Sequence, residues 1–241
     1  MISNNCLKNT RRLWDQIDRM ERSERSVSLM PFTNIVMDGS IDLVFAPCVE
    51  NRLVVASSSM GTAERVMTRM SDGVLYIDGP NDGDIVGARK EKCSIRSSAL
   101  AFLRAMLGFA SVDQFHKAPC KIVVGLSQEY APNIIHKGVG KVSLSRLHQS
   151  DIDLEAAGAV TFEVDGVVQD LQLVISGTGA FECEDLSTSK ASLMIDGTGS
   201  IKVEALDRVR SHISGTGSII VSGQPAMKAK TISGTGQVRY T

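Results

Sequence analysis

The sequence predicts an all-β fold, a parallel β-helix with coils of about 19 residues. Three observations carry this. Gly-Thr-Gly recurs at 177–179, 197–199, 215–217 and 234–236, so the first glycines stand 20, 18 and 19 residues apart. Around each of them apolar residues alternate with others. Ile175, Ile195, Ile213 and Ile232 lie two before it, Phe181, Ile201, Ile219 and Val238 four after it, and Cys183, Val203, Val221 and Tyr240 six after it. Period two places one set of side chains inside and the other in solvent, as in a half-buried strand and unlike a helix. Each unit is thus two short strands meeting at a glycine corner. A unit this short cannot cover its own apolar face, so it must stack on copies of itself.

In chain order, residues 1–30 read as an N-terminal helical segment. Leu13, Trp14, Ile17 and Met20 share one side of a helix within the first 25 residues. Residues 31–118 read as an N-terminal β region. In FTNIVMDGSIDLVFAP, Ile35 and Met37 precede Gly39 while Leu43 and Phe45 follow it, at the offsets of the later units. RLVVAS (52–57) and GVLYIDG (73–79) read as strands, and GTAERVMTRM (61–70) as a short helix between them. An interruption at 80–118 holds a helix near 97–110, whose Leu100, Leu103, Met106 and Leu107 share a face that packs on the body. Residues 119–241 are the repeated coils. KIVVGL (121–126) leads into the first of them, and Gly138 (HKGVGKVSL) and Gly158 (EAAGAVTFEV) mark two degenerate copies. The sequence stops inside the last strand. An edge left open there predicts a homo-oligomer through the C-terminal coil, or cover by the N-terminal helix.

Gly-x-Gly also occurs in loops that cradle phosphates. The dinucleotide fingerprint, however, needs a third glycine three residues on and a helix whose N-terminus meets the pyrophosphate. Here that position holds Glu182, Lys202, Ile220 and Arg239, and a strand follows. No Gly-Lys-Ser/Thr is present either. The glycine is therefore read as a corner, one that needs φ > 0 and lets neighbouring backbones approach closely. No cofactor is expected.

Two polar columns flank the corner: Thr178, Thr198, Thr216 and Thr235 on one side, and Ser176, Asp196, Ser214 and Ser233 on the other. They read as hydroxyl ladders that satisfy turn amides, or as a regular strip able to meet a polymer such as a glycan. Metal binding is not expected. The Gly-Gly-x-Gly-x-Asp nonapeptide is missing, and Asp196 is the single acid of its column. Asp151 and Asp153 flank Ile152 on one strand face and read as a solvated pair, with no second carboxylate pair in register. His116, His136, His148 and His212 are scattered, no Gly-x-Ser-x-Gly elbow occurs, and Cys183 falls in an inward slot. No catalytic residue is assigned.

Composition supports an ordinary globular chain: 241 residues, 43% hydrophobic, 22% charged, with 21 glycines against six prolines for many tight turns. A net charge of -1 gives no broad pull toward nucleic acid. Five scattered cysteines (Cys6, Cys48, Cys93, Cys120, Cys183) show no zinc spacing and read as ordinary thiols. The N-terminus lacks the apolar core of a secretory signal, and SSALAFLRAMLGFASV (97–112) is too short to span a bilayer. Without an export signal the default expectation is cytoplasmic.

The repeated ISGTG and IDGTG units, preceded by FTNIVMDGSIDLVF and GVLYIDG, resemble the head GIN domain family of bacterial auto-transporter adhesins over about residues 31–241. The resemblance implies a right-handed parallel β-helix, no established catalytic residues, and export to the cell surface. This chain departs in showing no signal or lipid anchor and in its longer interruption. The functional expectation is a non-enzymatic binding or structural protein, adhesin-like toward a glycan or protein surface. The alternatives are a carbohydrate-active β-helix enzyme and a self-assembling scaffold subunit.

Overall fold

In the computed structural model the described residues are 25–47, 52–57, 63–80, 122–128 and 130–241. The expected helix at 97–110 lies outside them, as do residues 1–24 of the helical segment expected at 1–30; the end of that segment is corrected, since Arg25–Ser28 is a strand paired antiparallel with Arg52–Val55. The strands are β1 (Arg25–Ser28), β2 (Asn34–Asp38), β3 (Asp42–Pro47), β4 (Arg52–Ser57), β5 (Met67–Ser71), β6 (Val74–Asp78), β7 (Ile122–Gln128) and β8 (Asn133–His136). They continue as β9 (Val139–Ala156), β10 (Ala159–Ile175), β11 (Thr178–Ile195), β12 (Thr198–Ile213), β13 (Thr216–Ser222), β14 (Met227–Ile232) and β15 (Thr235–Tyr240). From β9 onward the chain winds as a parallel β-helix, each coil stacked in register on the one before. The predicted fold is the observed one.

Strand registers turn the sequence offsets into columns. Leu43, Val142, Phe162, Phe181, Ile201, Ile219 and Val238 are successive partners through the core. Within this column Phe162 and Phe181 stack with ring centroids 4.7 Å apart. A second column runs Ile77, Met37, His136, Ala156, Ile175, Ile195, Ile213 and Ile232. All of these are buried except the terminal members Val238 and Ile232. Away from the corner the alternation slips. In β10 the inward residues are Val160, Phe162 and Val164, then Val168, then Leu171, Leu173 and Ile175. These slips are absorbed inside single strands of 16 to 18 residues that run from corner to corner. Each coil is therefore one long bent strand where the sequence suggested two short ones.

The corner works differently from the expectation. None of Gly177, Gly197, Gly215 and Gly234 has positive φ. What excludes a side chain there is the neighbouring coil. A Cβ on Gly197 would fall on the Gly177 carbonyl oxygen, one on Gly215 on that of Gly197, and one on Gly234 on that of Gly215. Those carbonyls are already engaged: the amides of Thr198, Thr216 and Thr235 donate to Gly177, Gly197 and Gly215 at 2.9, 2.9 and 3.0 Å. One residue earlier, two amides share an acceptor. Both Asp196 and Gly197 donate to the Ile175 carbonyl, at 2.8 and 3.2 Å. The bend is held by bonds between coils, and glycine is needed because those bonds bring backbones together.

The same column of glycines reaches back through Gly158 and Gly138 to Gly39 and Gly79. Its order in space differs from its order in sequence. On one wall β2 lies between β6 and β8; on the other β3 lies between β7 and β9. The coil made by β2 and β3 is thus inserted between two later ones. KIVVGL does not lead straight into the first regular coil, because β3 separates β7 from β9 along most of its length.

The helix expected at 61–70 is corrected as well. Among the described residues of that segment Ala63–Arg65 forms a single 3-10 turn, and Met67–Ser71 is strand β5, antiparallel to β6. The cause is the turn that follows. Ser71 pairs with Val74 across a two-residue loop in which Asp72 and Gly73 both have positive φ, 53° and 74°. That is the hairpin geometry an Asp-Gly pair favours, and it draws the preceding residues into the sheet.

Gly197→Ala is expected to cost about 2–4 kcal/mol, combining overpacking with loss of the Thr198 amide's acceptor, and Gly217→Val, aimed at the Gly199 carbonyl, should behave alike. Ile213→Asp should cost at least about 3 kcal/mol through its buried charge, whereas Lys202→Glu should stay within about 1 kcal/mol, since its Glu184 partner is solvent-exposed. Urea unfolding of the four variants measures these differences.

Candidate binding strip along the glycine corner

On either side of the corner the alternation turns one residue outward. Thr178, Thr198, Thr216 and Thr235 are mutual register partners, and all four are exposed. Parallel neighbours lie about 4.8 Å apart, so the hydroxyls form a straight ladder. Among the described residues these hydroxyls have no hydrogen-bond partner. Ser176, Asp196, Ser214 and Ser233 are exposed on the other side. Their amides bond to the coil below, which leaves the side chains facing solvent. Ser214 Oγ donates to Asp196 Oδ1 at 2.5 Å, and Ser176 Oγ donates to Glu155 Oε1 at 2.8 Å. Ser233 Oγ reaches only the Ile213 carbonyl, at 3.5 Å. All eight residues therefore share one ridge over four coils. Toward β9 the ladder loses its hydroxyls, since Ala159 and Val139 take the threonine position.

The other candidates separate into core and solvent. Asp151 and Asp153 face outward on either side of buried Ile152, as expected. A single carboxylate stands in register with them: Asp170 is Asp151's partner on the next coil, while Asp153 faces Gln172. Asp170 is ion-paired with Lys190, 3.0 Å away. A count back from the following corner glycine finds this neighbour, since Asp151 and Asp170 stand seven residues before Gly158 and Gly177. Cys183 is fully buried, and burial pushes its thiol far above the ordinary range, away from nucleophilic use. Glu163 pairs with Lys141 on the adjacent coil. Its carboxyl pKa is raised chiefly by burial, and its Oε2 has no hydrogen-bond partner among the described residues. His148 is exposed and His212 half-buried, while His116 lies outside the described residues. Among the described residues no group of three or more acids, histidines or cysteines is placed to hold a metal ion, and no helix is long and apolar enough to cross a membrane.

His136 is the exception in the core. It occupies the slot that isoleucine fills in later coils, with no exposed surface. Its Nδ1 accepts from the Gly138 amide at 3.1 Å, so the proton sits on Nε2, which donates to the Ile41 carbonyl at 3.0 Å. The ring ties the inserted β2–β3 coil to the first regular one. Space for it comes from Ala156 in the next coil and from Gly140, where a Cβ would stand 3.2 Å from Nε2. Offset alone could have flagged it, since His136 sits two residues before its glycine like Ile175 and Ile195.

A parallel β-helix with a hydroxyl-lined ridge is the class that this geometry defines. The chain belongs to the family described as "putative auto-transporter adhesin, head GIN domain", whose family model matches residues 31–225. Among solved structures it is similar to a putative adhesin from Bacteroides fragilis, at 15% identity over 92% of this chain and 98% of that one, with a TM-score of 0.56. A putative lipid binding protein from Parabacteroides distasonis aligns at 16% identity, 91% and 96% coverage and TM-score 0.47. A putative adhesin from Parabacteroides merdae aligns at 14%, 91% and 95%, with 0.42. These likenesses concern the fold. No curated protein matches the chain.

Burial lowers the His136 pKa below the ordinary 6.5, against the raising influence of the Ile41 carbonyl and of Asp42 and Asp38. The unfolded chain therefore binds the proton more readily than the folded one, and stability should fall as pH drops below about 6.5, by up to about 1.4 kcal/mol per unit. Urea midpoints at pH 7.5 and 5.5 test this. His136→Ile should flatten the difference, and an unchanged slope would refute the assignment.

Proposed function

We propose that this protein is a non-enzymatic, adhesin-like binding module whose corner ridge engages a glycan. The observation that carries the reading is the ladder Thr178–Thr198–Thr216–Thr235, in register, exposed, and with no hydrogen-bond partner among the described residues. Hydroxyls donate and accept, so a rigid row of them can trade hydrogen bonds with a polyhydroxylated chain at fixed spacing. Asp196 and the serines beside it add acceptors on the same ridge. The strands fix every position, so little conformational entropy is lost when a ligand lies along it. Membership of an adhesin family supports the same reading, and presentation at the cell surface is part of it; cell fractionation tests that part.

The binding claim is tested by glycan array and pull-down with the intact chain and with a Thr198→Arg/Thr216→Arg variant. Micromolar glycan binding, weakened at least tenfold in a variant that melts at the same temperature, is the expected result. Binding to protein alone would move the proposal to a protein surface. Silence on both would remove it.

A further inference from the structure

We propose that the C-terminal end of the solenoid docks an acidic, extended segment of another polypeptide as an added strand. Among the described residues β14 pairs only with β12 and β15 only with β13, so each strand has one unpaired edge. A row of amides and carbonyls spaced along a strand is matched by another polypeptide backbone, the usual mode of strand addition. The added strand lies on the axial end of the stack and the hydroxyl ridge runs along its side, so the two share only Ser233 and Thr235 of the last coil.

The chemistry of the end then selects the occupant. Register places Lys228 over Val209 and Lys230 over Ser211, where the coil below is buried. Two lysines thus stand at core positions of the last coil. Lys228 Nζ reaches across to within 4.8 Å of the Tyr240 ring centre. The Ser211 hydroxyl beneath them and the Tyr240 hydroxyl in the same coil are buried without a hydrogen-bond partner among the described residues. Charge is polarised the same way along the axis. After Asp207 the chain contains no acid but carries Arg208, Arg210, Lys228, Lys230 and Arg239, a net +5 in a protein whose total is -1. None of Arg208, Arg210, Lys228 and Lys230 pairs with a carboxylate among the described residues.

An apolar coil added here would bury two unpaired ammonium groups, which costs several kcal/mol per ion. A second copy presenting the same end would bring lysine against lysine. A strand with glutamates at alternate positions sets its carboxylates one strand spacing above the lysines, where charge-assisted hydrogen bonds form. The lysines therefore bar this chain's own end and admit an acidic one.

The test is fluorescence anisotropy of the full chain with a labelled synthetic peptide, Thr-Glu-Thr-Glu-Thr-Ile-Ser-Gly-Thr-Gly, against its scrambled form. The proposal expects saturable binding of the ordered peptide, at least tenfold weaker for the scrambled one and for a Lys228→Glu/Lys230→Glu variant of unchanged melting temperature. It also expects slowed amide exchange in β14 and β15 on binding. Equal binding of the scrambled peptide, or binding without amide protection, would reduce the end to a simple cation patch and overturn it. So would no binding at millimolar peptide, or dimers of the free protein through this end in light scattering.

Discussion

The contact between the corner glycine of one coil and the carbonyl of the glycine beneath it governs this structure. It sets how closely coils approach and fixes their phase, because Thr198, Thr216 and Thr235 each donate to that same carbonyl. A side chain on the column would push the coils apart and break the bond together. Gly79, Gly39, Gly138, Gly158, Gly177, Gly197, Gly215 and Gly234 accordingly form one line in space, although their sequence intervals vary. Coil length can change by a residue or two, since the slack is taken up in the slips along the far walls.

Constant phase at the corner has consequences for everything attached to it. Inward, it builds the isoleucine and phenylalanine columns, in which like side chains pack on like. Outward, it aligns the threonines into a ladder that no single coil could make. A residue's role thus depends on its distance from the corner glycine more than on its sequence neighbours. Near the corner that distance predicts burial well; past the first slip it does not: Ala205, eight residues after Gly197, is buried, whereas Asp185, eight after Gly177, is exposed.

Beside the small hydroxyls of Ser143, Thr188 and Ser211 inside the coils, two larger departures from the apolar filling lie where the regular stack meets something else. His136 stands where the inserted coil joins the regular ones, and its two ring nitrogens bond to Gly138 and Ile41 across that joint. Lys228 and Lys230 stand in the last coil, over a core that isoleucine or valine would otherwise extend. A buried polar ring that satisfies both partners specifies one arrangement of coils. Charges at a terminal coil decide what can be stacked on it.

The sequence by itself determined the repeat, the corner glycines and which residues near them point inward, because each coil buries a face at fixed offsets from a residue that tolerates no side chain. Even the Asp72–Gly73 hairpin was legible, as an Asp-Gly pair between strands, though the helical reading of 61–70 overrode it. Only the tertiary structure decided that β2 and β3 slot between later coils, since which apolar edge pairs with which depends on the whole stack and on no local pattern. It also decided that the first glycines of the four Gly-Thr-Gly corners avoid positive φ, because their constraint comes from a carbonyl some 20 residues away in the chain and one strand away in space.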